Sequence, residues 1–205
     1  MVKAVVFDIG NVLIEWQPER HYDRIMPEAD RRAMFAEVDL HGMNDVIDRG
    51  GNWRETVFDW AEKYPRWRDA IRRWHDDWIE MASPVIPRSV RLMKALQARG
   101  VPVFSLTNFG IGTFDYARDF YPFLEEFDRA FVSGHMGVIK PEARIYEMVE
   151  EASGFAGHDL LFTDDRADNI AAAHLRGWKT HLFEGPEGWA ARLVAEGLLS
   201  EEEAA

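Results

Sequence analysis

Four short groups of polar residues carry the side chains of this sequence that could do chemistry. Two are acidic, one pairs a hydroxyl with an amide, and one is a lysine beside a proline. They are Asp8, Thr107-Asn108, Lys140 and Asp164-Asp165. Carboxylates bind Mg²⁺, and lysine, hydroxyl and amide groups stabilise the oxygens of a transferring phosphate. Three acids and a lysine therefore predict metal-assisted phosphoryl chemistry, if the fold brings the four groups together.

Three of these groups directly follow apolar runs that we predict to be strands. Residues 4–7, 101–106 and 160–162 are almost entirely apolar, which is typical of strands buried on both faces of a parallel sheet. Residues 129–132 and 178–183 predict two more strands, and helical stretches separate all five. This alternation predicts an α/β fold with a doubly wound parallel sheet. Such sheets bind ligands at the carboxyl ends of their strands, where the polar groups would lie.

Residues 16–84 interrupt the alternation, because they show helical periodicity and no convincing strand. We predict an α/β core of residues 1–15 and 85–205, with residues 16–84 inserted after the first strand as an all-helical cap over Asp8. Six of the eight tryptophans lie in this segment, at spacings that favour a helix-bundle core with some rings lining a pocket. The acidic tail, residues 201–205, is expected to fray.

The composition excludes several classes of function. With 47% hydrophobic and 29% charged residues, the 205-residue chain is an ordinary globular protein. Its net charge of -12 argues against nucleic acid and anionic membranes as partners, although a local cation can still hold a small phosphorylated substrate. The absence of cysteine excludes disulfides and thiol chemistry. Without a transmembrane run or signal sequence, we expect a cytoplasmic monomer or homodimer.

Each polar group also has a simpler structural interpretation. Asp8 could begin a turn, Lys140 could be a surface lysine, and Thr107-Asn108 could form a turn. Asp164 or Asp165 could cap the next helix, which is compatible with binding a metal. The order and placement of all four groups favour the functional interpretation.

The four groups resemble the motifs of the haloacid dehalogenase-like (HAD) hydrolase superfamily, in its branch with a helical cap after the first strand. One motif alone is weakly specific, whereas four in this order are strongly specific, and they span essentially the whole chain. The matching stretches are Phe7-Asp8-Ile9-Gly10-Asn11-Val12-Leu13, Leu106-Thr107-Asn108, Lys140-Pro141 and Phe162-Thr163-Asp164-Asp165-Arg166-Ala167-Asp168-Asn169. The D-x-G-N-V opening is similar to that of bacterial glucose-1-phosphate phosphatases.

The resemblance implies a nucleophile and a metal site. Asp8 would attack phosphorus and form an aspartyl-phosphate. Mg²⁺ would be held by Asp8, by the main-chain carbonyl of Gly10 and by Asp165. Asp164 and Asn169 would support the metal from behind these ligands or through water.

The resemblance also implies a phosphate site. Thr107 and Lys140 would act as catalytic residues that hold the transferring phosphoryl group. Asn108 and Asn11 would add contacts to the phosphate. The cap would contact the rest of the substrate and exclude water.

Gly10 departs from the superfamily, because most of its phosphatases carry a second Asp there as general acid and base. The carbonyl of Gly10 could still bind the metal, but proton transfer, worth about 10²–10⁴-fold in rate, lacks its usual residue. Candidate replacements are His21 and His41 in the cap, and Asp164 acting through water. Without the usual acid, aryl, acyl and anomeric sugar phosphates should react better than simple alkyl phosphates.

Three functions follow from these residues. The favoured one is a Mg²⁺-dependent phosphomonoester hydrolase acting on a small phosphorylated metabolite, such as a sugar phosphate. The second is a metal-independent 2-haloacid dehalogenase in which Asp8 attacks carbon, although the pair Asp164-Asp165 suits a cation better than a carboxylate substrate. The third is a catalytically weak phosphate-binding or regulatory module, against which the intact Asp8, Lys140 and Asp165 argue.

Overall fold

A single parallel sheet forms the centre of the computed structural model, which describes residues 1–205. Its five strands are β1 (Ala4–Phe7), β2 (Val103–Thr107), β3 (Arg129–Val132), β4 (Leu160–Asp164) and β5 (Lys179–Leu182). They lie in the order β3-β2-β1-β4-β5, and every neighbouring pair is parallel. The predicted α/β fold with a parallel sheet is therefore confirmed.

β1 occupies the middle of the sheet because its residues are apolar on both faces. Val5 and Phe7 belong to a core cluster of 40 buried residues, whereas Ala4 and Val6 belong to a second cluster of 12. Successive side chains of a strand point to opposite faces, so the two clusters are the cores on the two sides of the sheet. The carboxyl end of β1 is thus flanked by those of β2 and β4.

Six helices and no strand occupy the segment between Pro18 and Met81. They are α1 (Pro18–Ile25), α2 (Glu28–Glu37), α3 (Leu40–Asp48), α4 (Trp53–Lys63), α5 (Arg68–Asp76) and α6 (Trp78–Met81). The chain leaves and re-enters the sheet region at adjacent points, because Ile14 and Val85 form an antiparallel bridge. The division into core and cap at residues 16 and 84 stays a prediction.

Seven helices follow this segment. They are α7 (Pro87–Ala98), α8 (Ile111–Phe120), α9 (Ser133–Met136), α10 (Ala143–Ser153), α11 (Ala167–Leu175), α12 (Pro186–Ala195) and α13 (Glu201–Ala204), and short 3-10 turns occur at Pro122–Glu125 and Gly157–Asp159. None of the helices has the length and apolar character that crossing a membrane requires.

The tryptophans of the helical segment pack mainly into the larger core. Trp67, Trp74 and Trp78 are buried and join the same 40-residue cluster as β1, so one apolar core connects the segment to the sheet. Trp16 and Trp78 also line the cavity beside Asp8. Both predicted uses of the tryptophan rings therefore occur.

The prediction that residues 201–205 fray is wrong. Ser200 begins α13 with a capping box, in which its hydroxyl accepts from the N–H of Glu203 at 3.2 Å. The Glu203 carboxylate accepts in return from the N–H of Ser200 at 2.7 Å. Ala204 is buried, and Glu203 pairs with Arg99 at 2.9 Å. Reciprocal capping of the helix and these core contacts outweigh the local clustering of negative charge.

Candidate active site

The carboxyl ends of β1, β2 and β4 meet at one cavity of about 280 Å³. Asp8 follows β1 directly, while Thr107 and Asp164 are the last residues of β2 and β4. The cavity is lined by most of the predicted site residues, namely Asp8, Gly10, Asn11, Thr107, Asn108, Lys140, Asp165 and Asn169. Asp164 is fully buried behind the wall of the cavity. The parallel sheet therefore brings all the predicted site residues to one edge, as its topology requires.

Lys140 is buried at the centre of this group, which excludes the alternative of a surface lysine. Its ammonium lies 2.8 Å from Asp8 Oδ1 and 2.7 Å from Asp164 Oδ2, and it donates to the carbonyl of Leu106 at 2.8 Å. The amide of Asn108 fixes the backbone of Lys140 by donating to its carbonyl at 3.0 Å and accepting from its N–H at 2.7 Å. Asn108 thus positions the lysine, a function that the sequence did not predict.

Three carboxylates lie around this single ammonium group, and two of them contact it. One oxygen each of Asp8, Asp164 and Asp165 lies within 4.8 Å of the others. Burial raises the pKa of Asp8 to about 7. The ammonium of Lys140 lowers this pKa, but the negative charges of Asp164 and Asp165 oppose that effect. The pKa of Lys140 is raised despite its burial, since the two carboxylates at its ammonium outweigh desolvation. This surplus of carboxylate oxygens suits a hard divalent cation such as Mg²⁺.

The two acids at the end of β4 have different surroundings. Asp164 accepts hydrogen bonds from the amide of Asn169 at 3.0 Å and from the N–H of Arg166 at 2.8 Å, in addition to its pair with Lys140. Asp165 is half-buried and accepts one side-chain hydrogen bond, from Asn11 at 3.0 Å. Asp164 is therefore committed to orienting Lys140, whereas Asp165 keeps an oxygen available to a ligand in the cavity.

Asn11 connects the loop after β1 to this acidic pair. It has a left-handed backbone with φ of 54°, which asparagine tolerates better than most residues. Its side chain donates to Asp165 and accepts from the N–H of Trp16 at 2.9 Å. These contacts shape the loop, and the predicted contact of Asn11 with phosphate stays a prediction.

Four polar residues, of which only His41 was a predicted candidate, enter the cavity from helix α3. They are His41, Asn44, Asp45 and Asp48, which line the cavity together. Their spacing of three, one and three residues places them on one face of the helix. Leu40, Met43 and Ile47 lie on the opposite face of the helix and are buried. Their spacing of three and four residues is the sequence signal that could have revealed this amphipathic helix.

Asp48 differs from its neighbours on α3 because it is buried. It is 7% exposed, and Asn44 Nδ2 donates to its Oδ2 at 2.8 Å. Desolvation by burial is the largest effect and raises the pKa of Asp48 to about 7. The main-chain carbonyl of Asp48 accepts from the hydroxyl of Ser133 at 2.6 Å, which ties the end of α3 to the sheet region.

The three residues considered as replacements for the missing acid lie in different places. His21 is buried outside the cavity, where its Nε2 lies 3.1 Å from Asp77. His41 lines the cavity but is exposed. The oxygens of Asp164 are occupied, as described above. A methyl group at Gly10 would meet no atom within 4 Å, so this position borders open space in the cavity.

A carboxylate at the end of the central strand, a buried lysine beside it and an acidic pair on the next strand define a hydrolase of the HAD class. The chain belongs to the haloacid dehalogenase-like hydrolase family, because the sequence model of this family matches residues 2–175. The family predicted from the four motifs is confirmed. The predicted glucose-1-phosphate phosphatase subgroup stays a prediction.

One similar protein is the sesquiterpene phosphatase astK from Aspergillus oryzae. The two sequences are 30% identical over 189 residues, which cover 85% of this chain and 86% of astK. A shorter similarity, 35% identity over 57 residues, links the chain to the drimenol cyclase drtB from Aspergillus calidoustus, of which it covers 11%.

Solved structures with the same fold include a HAD family enzyme from Bacteroides thetaiotaomicron. It has a TM-score of 0.73 and 21% identity, and the match covers 94% of this chain and 98% of that one. The same enzyme in complex with magnesium and inorganic phosphate has a TM-score of 0.68 and 20% identity, covering 88% and 93%. An L-2-haloacid dehalogenase from Xanthobacter autotrophicus has a TM-score of 0.62 and 18% identity, covering 97% and 85%.

Proposed function

We propose that the protein is a Mg²⁺-dependent phosphomonoester hydrolase that acts on a small phosphorylated metabolite through an aspartyl-phosphate. The observation that carries the proposal is the position of Asp8. Its carboxylate lies at the end of the central strand, 2.8 Å from the ammonium of Lys140 and beside the pair Asp164-Asp165. A nucleophile, a group for phosphate charge and acidic metal ligands are thus within reach of one substrate.

Asp8, Asp165 and the carbonyl of Gly10 are the groups that we propose hold Mg²⁺. The surplus of carboxylates over ammonium groups at this edge supports a divalent cation, and Asn169 Oδ1, buried without a partner, is a further polar atom near it. When bound, the cation would neutralise charge on the phosphate and on Asp8. Asp164 and Asn169 would keep Lys140 and the acidic loop in position.

In the first chemical step, an oxygen of Asp8 attacks phosphorus and the bond from phosphorus to the leaving oxygen breaks. Lys140 and Thr107 stabilise the negative charge of the phosphoryl oxygens while this bond exchange occurs. In the second step, water attacks the same phosphorus, which releases phosphate and restores the Asp8 carboxylate. The helices over the cavity, acting as the predicted cap, would limit the access of water between the steps.

The organic part of the substrate has a second space available to it. A neighbouring cavity of about 380 Å³ shares Trp16, His41 and Asn44 with the first. Its apolar wall residues include Phe35 and Trp74, although its wall also carries acidic side chains. This continuity and the sesquiterpene substrate in the name of astK support an apolar organic group, and a sugar phosphate remains the alternative.

The proposal is tested by hydrolysis of p-nitrophenyl phosphate with and without Mg²⁺, using the wild type, Asp8→Asn and the control Asp59→Asn. Asp59 is an exposed carboxylate of helix α4 that does not line the cavity. We expect Mg²⁺-dependent turnover that Asp8→Asn abolishes and Asp59→Asn retains. Trapping of a phosphorylated wild-type protein that Asp8→Asn lacks would place the covalent bond on Asp8.

Two other outcomes would replace this proposal with one of the alternatives. Release of halide from a 2-haloacid without metal would support a dehalogenase. Binding of phosphate or Mg²⁺ without turnover of a broad set of phosphate esters would support a regulatory module. A substrate panel that pairs a prenyl monophosphate with a sugar phosphate would separate the two substrate classes by kcat/KM.

A further inference from the structure

We propose that Asp48, on helix α3, is the residue that gives a proton to the leaving group and then takes one from the attacking water. It would supply the acid–base function that Gly10 leaves without its usual side chain. This inference rests on the proposed function, and it extends that function to a residue outside the four motifs.

Helix α3 places Asp48 in the lining of the cavity that contains Asp8. His41, Asn44, Asp45 and Asp48 form the polar face of the helix, and all four line the cavity that contains Asp8. Among the two carboxylates of this face, Asp45 is exposed and Asp48 is buried. Asp48 is therefore the buried carboxyl group that α3 contributes to the lining of this cavity.

Asp48 is held in a defined position from both sides. Asn44 Nδ2 donates to its carboxyl group at 2.8 Å, and the N–H of Gly110 is close enough to lower the pKa of this carboxyl. The backbone of Asp48 is fixed by Ser133, whose hydroxyl donates to its carbonyl at 2.6 Å. The hydroxyl of Ser133 also accepts from the N–H of Phe109 at 2.9 Å. An orientation fixed in this way is what proton transfer to a bound substrate requires.

The protonation of Asp48 suits both directions of transfer. Burial is the main cause of its raised pKa of about 7, and the charge of Asp45 raises it further. The opposing groups are the ammonium of Lys140, the N–H of Gly110 and the amide of Asn44, all of which lower the pKa. A carboxyl group with a pKa near neutral pH serves as acid and as base in one reaction cycle.

The proton balance closes over the two steps. When Asp8 attacks phosphorus, the bond from phosphorus to the leaving oxygen breaks, and the proton of Asp48 passes to that oxygen to give an alcohol. The Asp48 carboxylate then removes a proton from the water that attacks the aspartyl-phosphate. Cleavage of the bond between phosphorus and the Asp8 oxygen then releases hydrogen phosphate. This step restores the Asp8 carboxylate and leaves Asp48 protonated.

This inference changes the predicted dependence on the leaving group. With Asp48 protonating the leaving oxygen, the wild type should hydrolyse alkyl and aryl phosphates at rates that depend weakly on the leaving group. The steep preference for aryl phosphates, predicted from the absence of an acid at Gly10, should appear only when Asp48 is replaced. The reason is that an alkoxide leaving group needs a proton more than p-nitrophenolate does.

The test compares p-nitrophenyl phosphate and an alkyl phosphate with the wild type, Asp48→Asn and the control Asp59→Asn. We expect Asp48→Asn to lower kcat/KM for the alkyl phosphate by about 10²–10⁴-fold and to lower the aryl phosphate far less. Equal losses for the two substrates, or no loss for either, would overturn the role of Asp48. A wild type without Mg²⁺-dependent turnover of either substrate would instead overturn the proposed function.

A second variant tests the inference without removing the carboxyl group. Asn44→Ala removes a hydrogen bond that lowers the pKa of Asp48, so this pKa should rise. The decline in alkyl phosphate hydrolysis above neutral pH should then move to higher pH, because Asp48 keeps its proton longer. A purely structural role for Asp48 predicts no such movement, and an unchanged pH profile in Asn44→Ala would overturn the inference.

Discussion

Replacing Lys140 by methionine should destabilise the protein far more than the same change at an exposed lysine. The ammonium of Lys140 lies 2.8 Å from Asp8 and 2.7 Å from Asp164, and the side chains of the three residues are at most 9% exposed. Methionine fills a similar volume but leaves the two carboxylates without a positive charge. The variant therefore isolates the electrostatic contribution of the lysine from its packing.

The size of the effect follows from the burial of the charges. Removing one partner of a buried ion pair typically costs about 3–5 kcal/mol, because the remaining charge stays desolvated. With a urea dependence of roughly 2 kcal/mol per molar, the unfolding midpoint should fall by about 2 M. Burial raises the pKa of Asp8 to about 7, so lowering the pH to about 4 protonates Asp8 and removes one of the unpaired charges. The loss of stability should therefore shrink at this pH.

Urea unfolding at neutral and acidic pH measures the prediction, with Lys94→Met as the matched control. Lys94 pairs with Glu126 at 3.0 Å, but both side chains are about half exposed. Such a pair contributes at most about 1 kcal/mol, so the control should change little at either pH. The double variant of Lys140→Met with Asp8→Asn should recover part of the lost stability, because it removes one unpaired carboxylate.

Two results would refute this reasoning. If Lys140→Met lost no more stability than Lys94→Met, the buried ammonium would not be compensating the carboxylates around it. If the loss were equal at neutral and acidic pH, it would come from packing and not from charge.

Three further predictions concern other parts of the structure. Because folding raises the pKa of Asp48 from 3.8 to about 7, the native state binds an extra proton between these pH values. The free energy of unfolding should therefore fall by about 1.4 kcal/mol per pH unit as the pH rises through this window. Urea unfolding of Asp48→Asn should show a flatter dependence on pH. Gly110→Ala should cost about 1–3 kcal/mol in thermal or urea unfolding, because its new methyl group would lie 2.5 Å from Ile47 Cγ2. The control is Gly112→Ala in helix α8, whose new methyl group would lie 3.6 Å from its nearest neighbour, and it should be neutral or stabilising by up to about 1 kcal/mol. Mg²⁺ at about 100 times its Kd should stabilise the wild type by about 2.7 kcal/mol in calorimetry. Asp165→Asn should lose most of this stabilisation at the same Mg²⁺ concentration. An equal stabilisation of both proteins would contradict the role of Asp165 in binding Mg²⁺.

The sheet and its ligand-binding edge were predictable because the signals for them are local. β1 is apolar on both faces, which identifies a central parallel strand, and Asp8 directly follows it. The same reasoning applies to Thr107 and Asp164, the last residues of β2 and β4. Once the strands are parallel, their carboxyl ends must lie together, so the sequence was sufficient to assemble the candidate site.

The contribution of α3 could not be predicted because it depends on contacts that are distant along the chain. Asp48 lies on a polar helix face that the sequence alone cannot distinguish from a solvated surface. The backbone at the end of α3 lies close to α9, since a methyl group added to Gly50 would lie 2.6 Å from the carbonyl of Gly134. Burial, and hence the raised pKa of Asp48, arises only in the folded protein.

The central position of β1 also constrains how the chain must fold. This strand is synthesised before the other four strands of the sheet, yet Val5 pairs with Val103 on one side and with Leu161 on the other. Pairings between residues so far apart form slowly, because a long loop must close before they stabilise the chain. Until the end of β4 has been synthesised, an apolar strand with at least one open edge stays available for association with other chains. Slow translation, or truncation before residue 160, should therefore increase aggregation, and early protection of this N-terminal strand by a chaperone should reduce it.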